Sequence, residues 1–299
     1  MLLIDNKMVC SFKSIKVPFY RFMGILFKDD ALFLRFKYRL KTGKRLDLKN
    51  PQRFNEKLQW LKLYNRQPEY TEMVDKAEVK KYVASIIGEE YVIPTLGVWS
   101  RFEDINFEEL PNQFVLKCTH DSGGIVICKD KCKLDIEDAR IKINRSLKMN
   151  FYLEGREYPY KNVKPRIIAE KYMVDESGIE LKDYKFFCFD GEAKCIQLDF
   201  GRYSHHKRNL YSLDWKPLCF SFGYPSDYNT LFDKPQNLES MVRIAEKLSE
   251  KIPHVRVDLY NINGRIYFGE LTFYHGSGLE RFDPDEWDFK FGGWIKLPT

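Results

Sequence analysis

The sequence has no long uninterrupted apolar segment. Its 299 residues include 44% apolar side chains, but no stretch approaches the roughly 20 uncharged apolar residues that cross a bilayer, which excludes an integral membrane protein. Asp5, Lys7 and Lys13 interrupt the first apolar residues, so we expect no secretory signal. With 15% aromatics, 17 Gly and 13 Pro, the composition is neither disordered nor of low complexity. We therefore predict a globular protein of one large domain or two lobes.

Cysteine is too irregularly spaced for a metal or disulfide framework. There are seven cysteines, and Cys128 and Cys132 are followed by no second Cys or His pair at the spacing of a zinc site. We predict reduced thiols in a cytoplasmic protein. Cys118, Cys188 and Cys195 lie in apolar runs and should be small core residues.

Positive charge is concentrated at the start of the chain. Residues 1–50 carry 12 basic and 4 acidic side chains, interleaved with aromatic and aliphatic residues. This pattern favours an amphipathic helix packed on the protein's own core, and it leaves open a surface that binds an anionic membrane. No nucleic-acid-binding motif accompanies the charge, so we expect no nucleic-acid partner.

Helical and strand-like patterns occupy different parts of the chain. Apolar residues recur with helical spacing over 51–88 and 238–252. Strands are predicted at 91–96, 114–116, 166–173, 184–189, 193–200, 255–260 and 266–271, the last two as a hairpin. Helices therefore dominate before residue 110 and strands after it.

A lysine and two glycines follow the strand at 114–116. Lys117 offers a fixed cation, and Gly123 and Gly124 allow backbone N–H groups to approach phosphate oxygens. The glycine spacing fits neither the P-loop nor the dinucleotide-binding fingerprint. A polyphosphate site is one interpretation, and an ordinary hairpin turn is the other.

Two later strands carry charged residues at their ends. The apolar run that ends at Glu170 can provide a slot and backbone groups for an adenine ring. Asp183, at the mouth of the next strand, can accept hydrogen bonds from ribose hydroxyls. Taken singly, each pattern is more often just a strand with charged ends.

The predicted C-terminal hairpin carries the sharpest pattern. Alternation puts Arg256 and Asp258 on one face of its first strand, and Glu270 and Thr272 on one face of its second. Two carboxylates brought together repel each other unless a cation lies between them, and Mg²⁺ commonly binds one or two carboxylates plus phosphate oxygens. We predict a Mg²⁺ site, and the alternative is a surface pair neutralised by Arg256.

In this order, the motifs resemble the ATP-grasp proteins of bacterial polysaccharide biosynthesis, the teichuronopeptide-biosynthesis (TupA-like) family. The resemblance runs from about residue 35 to 284 and includes residues 48–62, 75–76, 91–98, 114–124, 170–173, 183–185, 269–274 and 276–278. It implies an α+β ATP-grasp fold, with the nucleotide held between two antiparallel-sheet α+β lobes and a helical N-terminal region. The implied divisions are a basic aromatic arm at 1–50, a helical region at 51–113, ATP-grasp lobes at 114–283 and a C-terminal tail at 284–299.

The resemblance implies roles for individual residues. Lys117 and Arg256 are the implied catalytic residues: Lys117 contacts the ATP phosphates, and Arg256 steadies the transferred phosphate or the tetrahedral intermediate. Ser122, Gly123 and Gly124 close over the phosphates. The remaining ATP-binding residues are Glu170, Lys171, Tyr172, Met173, Asp183 and Lys185. The Mg²⁺ ligands are Asp258, Glu270 and Thr272, the last in a place where many ATP-grasp enzymes have Asn. No role follows for Asp75 and Lys76, which we interpret as an ion pair at a helix start.

The implied activity joins a carboxylate to an amine through an acyl phosphate and releases ADP and phosphate. The expected partners are a uronic-acid or similar carboxylate of a capsule or other cell-surface polysaccharide precursor and an amino acid or small amine. We expect the protein in the cytoplasm, with the arm able to reach the inner face of the cytoplasmic membrane. Candidate substrate residues are Arg202 and His205, in a basic loop that is otherwise a solvated charge run, with His275 and Ser277.

Two other activities remain open. A glycosyltransferase using a nucleotide sugar is one, because Asp283 and Asp285 superficially imitate an Asp-x-Asp metal motif. An ATP-grasp sugar kinase is the other, and it would differ from the ligase only in its product.

Overall fold

Helices dominate the first ninety residues that are described. The computed structural model describes residues 19–121, 123–175, 181–201 and 205–298. Residues 19–26 are helical, followed by α1 Asp30–Thr42, α2 Phe54–Tyr64, α3 Tyr70–Val74, α4 Val79–Ile87, α5 Ile136–Leu147, α6 Phe151–Gly155, α7 Leu238–Leu248 and α8 Glu286–Trp294. Short 3-10 turns occupy Glu89–Tyr91, Phe102–Asp104, Lys131–Lys133, Tyr158–Lys161 and His275–Gly278. Within these ranges, no helix is both long and apolar enough to span a bilayer.

The described strands form three antiparallel sheets. They are β1 Thr95–Trp99, β2 Phe114–Cys118, β3 Ile125–Cys128, β4 Ile167–Lys171, β5 Asp183–Phe189, β6 Glu192–Phe200, β7 Lys207–Tyr211, β8 Ser221–Phe222, β9 Val255–Ile262, β10 Arg265–Thr272 and β11 Phe282–Asp283. The small sheet has the order β1-β4-β2-β3, the large sheet has the order β10-β9-β5-β6-β7, and β8 pairs with β11. Helices with antiparallel sheets confirm the predicted α+β fold class.

The small and large sheets have separate hydrophobic cores. The core of the large sheet includes residues of β5 and β9 packed with α2 and α7, whereas that of the small sheet joins β2 and β4 to α5. Cys118 is buried in the small-sheet core, and Cys188 and Cys195 in the large-sheet core, as predicted. Two cores make two lobes, so a cleft between them can remain open.

Several elements differ in extent from the prediction. The helical spacing over 51–88 is divided among α2, α3 and α4, with Pro68 in the connection that follows α2. The strand predicted at 91–96 begins only at Thr95, because Pro94 has no N–H to donate to a strand ladder. The C-terminal tail forms α8, whose Phe291 is fully buried.

The second half of the N-terminal arm packs on the protein itself. The Asp29 side chain accepts a hydrogen bond from Leu32 N at 2.9 Å, which caps the start of α1. Phe33, Leu34 and Tyr38 of this helix are buried in a third apolar cluster, which also includes Leu46 and Leu48. This confirms the docked amphipathic helix for α1. Residues 1–18 of the arm lie outside the described residues.

Phe54 joins α2 to the large sheet. It is fully buried, with its ring centroid 5.0 Å from that of His254 and 5.6 Å from that of Phe291. We expect Phe54→Ala to lower the free energy of unfolding by about 3–5 kcal/mol, because a cavity remains among the aromatic rings. Tyr64→Ala, on the same helix but 57% exposed, should lower it by less than about 1 kcal/mol. Urea denaturation measures both, and equal losses would contradict this account of the core.

Candidate active site

A cleft of about 370 Å³ lies between the small and large sheets. Lys117 and Glu170 line it from the small sheet, and Lys185, Asp258 and Glu270 line it from the large sheet. A second cavity of about 450 Å³ continues the cleft, since Lys117 and Glu170 line both. The structure thus brings the lysine predicted to bind phosphate and both carboxylates predicted to bind metal to one cavity.

Glu170 holds two lysines at the small-sheet wall of the cleft. Its Oε2 lies 2.5 Å from Lys117 Nζ, and its Oε1 lies 2.7 Å from Lys80 Nζ. Burial raises the pKa of Glu170, but the two lysines outweigh burial and hold the pKa below its usual value. Lys76 also lines the cleft, where its Nζ donates to the carbonyl oxygen of Asp121. Three cations in one wall form a site that can receive a polyphosphate.

Lys76 and Lys80 were not predicted as site residues from the sequence. The expected ion pair between Asp75 and Lys76 is wrong, because Asp75 Oδ2 pairs with Arg166 at 2.8 Å, while Lys76 faces the cleft. The two lysines are four residues apart, a spacing that puts side chains on one side of a helical turn. That spacing was the available signal, but the packing of α4 decides which side faces the cleft.

The second cavity has apolar walls and a strand end at its rim. Its lining includes Val115, Ile127 and Leu181, together with the four residues predicted to bind adenine, Glu170, Lys171, Tyr172 and Met173. β4 ends at Lys171, so its backbone lies at the edge of an apolar slot. That combination suits a flat heteroaromatic base.

Asp121 shapes the glycine loop that follows β2. Its Oδ2 accepts hydrogen bonds from Gly124 N at 3.2 Å and from the Ser146 hydroxyl. A Cβ on Gly124 would come within 2.2 Å of Ser146 Oγ, so only glycine fits there. Gly123 and Gly124 are not among the residues that line the cleft or its continuation, although the flanking strand residues are. Ser122 lies outside the described residues.

Arg256 lies between the carboxylates that are predicted to bind metal. The register of β9 and β10 places Asp258 opposite Glu270, and Arg256 opposite Thr272. The guanidinium donates to Asp258 through Nε and Nη2, both at 2.6 Å, and to Glu270 Oε1 at 2.9 Å. A further bond of 3.1 Å reaches Thr272 Oγ1. Arg256 therefore neutralises the pair, as the alternative interpretation expected. Only one member is at the surface, because Asp258 is 2% exposed whereas the Glu270 side chain is 47% exposed.

Lys185 is a second cation bound to Asp258, and it also binds Asp183. Its Nζ lies 2.5 Å from Asp258 Oδ2 and 3.1 Å from Asp183 Oδ2, because β5 and β9 pair with Lys185 opposite Asp258. Burial raises the pKa of Glu270, but Arg256 and other cations outweigh burial and lower it below its usual value. Glu270 is thus held in the ionised form that binds a metal ion. Burial raises the pKa of Asp258 above its usual value, although Arg256 and Lys185 act in the opposite direction.

The donor atoms of the hairpin fit Mg²⁺. Asp258, Glu270 and Thr272 offer only oxygen, the ligand type that this hard cation prefers. Among the residues with described positions, no three His, Cys, Asp or Glu side chains form a metal-binding group. An ion held by the two carboxylates would therefore also need phosphate or water oxygens, which is usual for Mg²⁺.

The basic loop does not form one substrate surface. Arg202 lies outside the described residues, and His205 is exposed and does not line the cleft. The neighbouring His206 does line it, with Nε2 at 3.3 Å from Asp199 Oδ1. The alternative of a solvated charge run is wrong for Arg208, which is buried and pairs with Asp199 at 2.8 Å. Strand β7 starts inside this loop and turns alternate residues inward.

His275 and Ser277 have different positions. His275 is buried beside Arg256, with its Nε2 at 2.9 Å from Glu280 Oε2. Ser277 lines a third cavity, of about 320 Å³, which shares Arg256 and Glu270 with the cleft. Of the candidate substrate residues, Ser277 is thus the one that faces a described cavity beside the hairpin.

One family model matches most of the chain, and several solved structures resemble part of it. A family model described as TupA-like ATPgrasp matches residues 56–296, and no curated protein matches the chain. Among solved structures, D-alanine–D-alanine ligase from Bacillus anthracis complexed with ATP is 16% identical, with a TM-score of 0.39 over 67% of this chain and 53% of that one. L-amino acid ligase from Bacillus licheniformis is 12% identical, with a TM-score of 0.45 over 85% and 57%. The chain spans little more than half the length of these two proteins.

We expect Glu170→Gln to destabilise the protein and to enlarge its stabilisation by ATP. Without the carboxylate, Lys117 and Lys80 lie close together with no counter-charge, which should cost about 3 kcal/mol and lower the melting temperature by about 5 °C. ATP, the nucleotide expected from the resemblance, brings negative charge to the same lysines. The rise in melting temperature on adding ATP should therefore be larger in the variant than in the wild type.

Glu137→Gln is the matched control for this experiment. It removes an exposed carboxylate on α5, 3.6 Å from Arg140, and should change the melting temperature and the ATP response very little. Differential scanning fluorimetry measures both quantities. A smaller ATP response in Glu170→Gln than in the wild type contradicts a phosphate-binding role for the two lysines.

Proposed function

The chain belongs to the TupA-like ATP-grasp family, and we propose that it is an ADP-forming carboxylate–amine ligase. The observation that carries this proposal is that Arg256 and Glu270 line both the cleft and the third cavity. A phosphoryl group at that point is within reach of a nucleotide on one side and of a second substrate on the other. Such shared positioning is what an ATP-dependent ligation requires.

The cleft and its continuation suit ATP in polarity and charge. We place adenine in the apolar cavity beside residues 170–173, the ribose near Asp183 and the phosphates against Lys117, Lys80 and Lys76. A Mg²⁺ ion on Asp258, Glu270 and Thr272 would offset the phosphate charge when bound.

The proposed reaction has two steps. The substrate carboxylate attacks the γ-phosphorus of ATP, the bond to the β-phosphate oxygen breaks, and ADP leaves. The amine then attacks the carbonyl carbon of the acyl phosphate, the carbon–oxygen bond breaks, and phosphate leaves as the amine loses a proton. Arg256 is held in place by four side chains, so its charge can stabilise the transferring group without reorientation.

For the substrates, we propose a uronic-acid or similar carboxylate and an amino acid or small amine. Membership of the TupA-like family supports this choice, because the motifs resemble proteins of teichuronopeptide biosynthesis. The amide would then form on a capsule or other cell-surface polysaccharide precursor.

The geometry favours the ligase over the glycosyltransferase. Asp285 pairs with Arg53 at 2.7 Å, and neither Asp283 nor Asp285 lines the cleft. The sugar kinase would use the same nucleotide site, so its product must distinguish it.

Product analysis separates the three activities. The protein is incubated with ATP, Mg²⁺, uronic acids, amino acids and nucleotide sugars, and the products are identified by mass spectrometry. A ligase forms ADP, phosphate and amide in equal amounts. A phosphorylated sugar without free phosphate, or consumption of a nucleotide sugar with ATP intact, contradicts the ligase.

We expect Glu270→Gln to reduce ADP formation by at least about 100-fold. The neutral amide is a poorer ligand for Mg²⁺ than the carboxylate, so the ion would no longer be held where it offsets the phosphate charge. The side chain is 47% exposed, so the fold should persist, as circular dichroism can check. Glu192→Gln, which removes an exposed carboxylate on β6, is the control and should retain full activity. Turnover of Glu270→Gln at the wild-type rate would refute the metal assignment.

We also propose that the protein works at the inner face of the cytoplasmic membrane. Phe22, Ile25 and Leu26 are 59%, 66% and 58% exposed, and their spacing puts them on one side of the helical residues 19–26. Lys28 and Arg35 are exposed in the same arm. Apolar side chains beside cations suit the surface of an anionic membrane.

Replacing Phe22, Ile25 and Leu26 together by Ser should weaken binding to phosphatidylserine-containing vesicles at least tenfold. Each apolar side chain that enters the bilayer interface contributes about 1.5 kcal/mol or more. Leu231→Ser is the matched control, because Leu231 is an 84% exposed apolar residue outside the arm. Cosedimentation measures the bound fraction, and equal binding by the wild type and both variants contradicts a membrane role for this surface.

A further inference from the structure

The third cavity is formed by α6, the turn that follows it and the C-terminal hairpin. Its volume is about 320 Å³, which is large enough for a small organic molecule. Because Arg256 and Glu270 line it as well as the cleft, a molecule in this cavity lies next to the proposed site of phosphoryl transfer.

The charges in this cavity favour a cation over an anion. Its lining includes the four carboxylates of Asp121, Glu154, Glu157 and Glu270 and the two cations of Lys37 and Arg256. Both cations are already engaged. Arg256 binds the hairpin carboxylates, and Lys37 Nζ donates to the carbonyl oxygen of Glu154 at 2.5 Å. An additional carboxylate in this cavity would meet mostly negative charge.

Glu157 differs from the other carboxylates of the cavity. Asp121 binds Ser146 and Gly124, Glu154 pairs with Arg21 at 3.3 Å, and Glu270 binds Arg256. Glu157 is only 7% exposed, yet within the described ranges no hydrogen bond or ion pair reaches its carboxylate. Lys62 and Lys37 interact with this carboxylate electrostatically but form no hydrogen bond or ion pair with it. The Glu157 carboxylate therefore opens onto the cavity without a direct partner from the described residues, and a cationic ligand would provide that partner.

The surroundings of Glu157 also suit an ammonium group. A Cβ on Gly155 would lie 2.8 Å from both Glu157 Oε1 and Ser277 Oγ, so only glycine lets these two oxygens approach the backbone so closely at the cavity wall. Phe151 and Tyr160 line the same cavity with ring centroids 4.8 Å apart. Aromatic faces attract cations, so carboxylate and rings together can bind a small organic cation.

We propose that the third cavity is the amine subsite and that Glu157 binds the ammonium group of the amine substrate. This inference rests on the proposed ligase function and assigns the cavity to the amine rather than to the carboxylate substrate. The ligand class is a small primary amine without a carboxylate, such as an amino alcohol. It binds as the ammonium ion and releases one proton to water before its nitrogen attacks the acyl phosphate.

The test compares Glu157→Gln with the wild type using two nucleophiles. With ATP, Mg²⁺ and glucuronic or galacturonic acid, we expect the KM for ethanolamine to rise about 10- to 100-fold, as for loss of a hydrogen bond to a charged group. Hydroxylamine is uncharged at neutral pH, so it does not need the Glu157 carboxylate in order to bind. It reacts with the acyl phosphate to give a hydroxamate. Hydroxamate formation should therefore stay within about twofold of wild type. Glu192→Gln, the matched carboxylate-to-amide change on the surface of β6, should alter neither reaction.

Gly155→Ala provides a second variant that keeps the charge. Its methyl group displaces the Glu157 carboxylate and should also raise the amine KM, so the test remains available if Glu157→Gln does not fold. An unchanged amine KM in the folded variants overturns the amine subsite, as does a parallel loss of hydroxamate and amide in Glu157→Gln. Absence of hydroxamate with the wild-type protein and every uronic acid overturns the ligase itself, so the two failures are distinguishable.

Discussion

The contact of Arg256 with Asp258 and Glu270 constrains much of the surrounding structure. An ionised carboxylate shielded from water is unstable without a counter-charge, so Asp258 requires the cations that bind it. Arg256 comes from the same strand, and Lys185 comes from the neighbouring strand β5. Behind them, Glu280 binds both His275 and Arg208. The central strands of the large sheet and the segment after β10 therefore meet at one buried cluster of charges.

The two lobes present complementary charges across the cleft. The small-sheet side carries Lys117, Lys80 and Lys76 around Glu170, while the large-sheet side carries the hairpin carboxylates. Lys117 and Glu170 lie on strands of the small-sheet core. Lys80 lies on α4, which packs Val79 and Val83 into the same large-sheet core as the hairpin. The charges are therefore held in place before any ligand binds. A triphosphate with its cation has both signs of charge, and it can interact with both walls without rearrangement of the cores.

Prediction from the sequence succeeded where the signal is local. Strand alternation placed Arg256 with Asp258 and Glu270 with Thr272, and the β9–β10 hairpin has the expected pairing, because side chains of a strand alternate whatever surrounds it. Prediction failed for contacts that depend on which side of a helix, strand or turn faces the interior. Asp75 pairs with a residue 91 positions away, and His206 rather than His205 lines the cleft. The residues that flank Asp75 do not indicate its partner, and those that flank the two histidines do not indicate which one faces the cleft.

The order of motifs was sufficient to recognise the family, the α+β class and the candidate nucleotide and metal residues, since each is a short pattern on one strand or loop. The third cavity required the folded chain, because its walls come from residue 37, from residues 121–160 and from the C-terminal hairpin. Glu157 shows the reason. A single glutamate in a turn has no pattern of its own, and its burial without a partner results only from packing between segments that are more than a hundred residues apart.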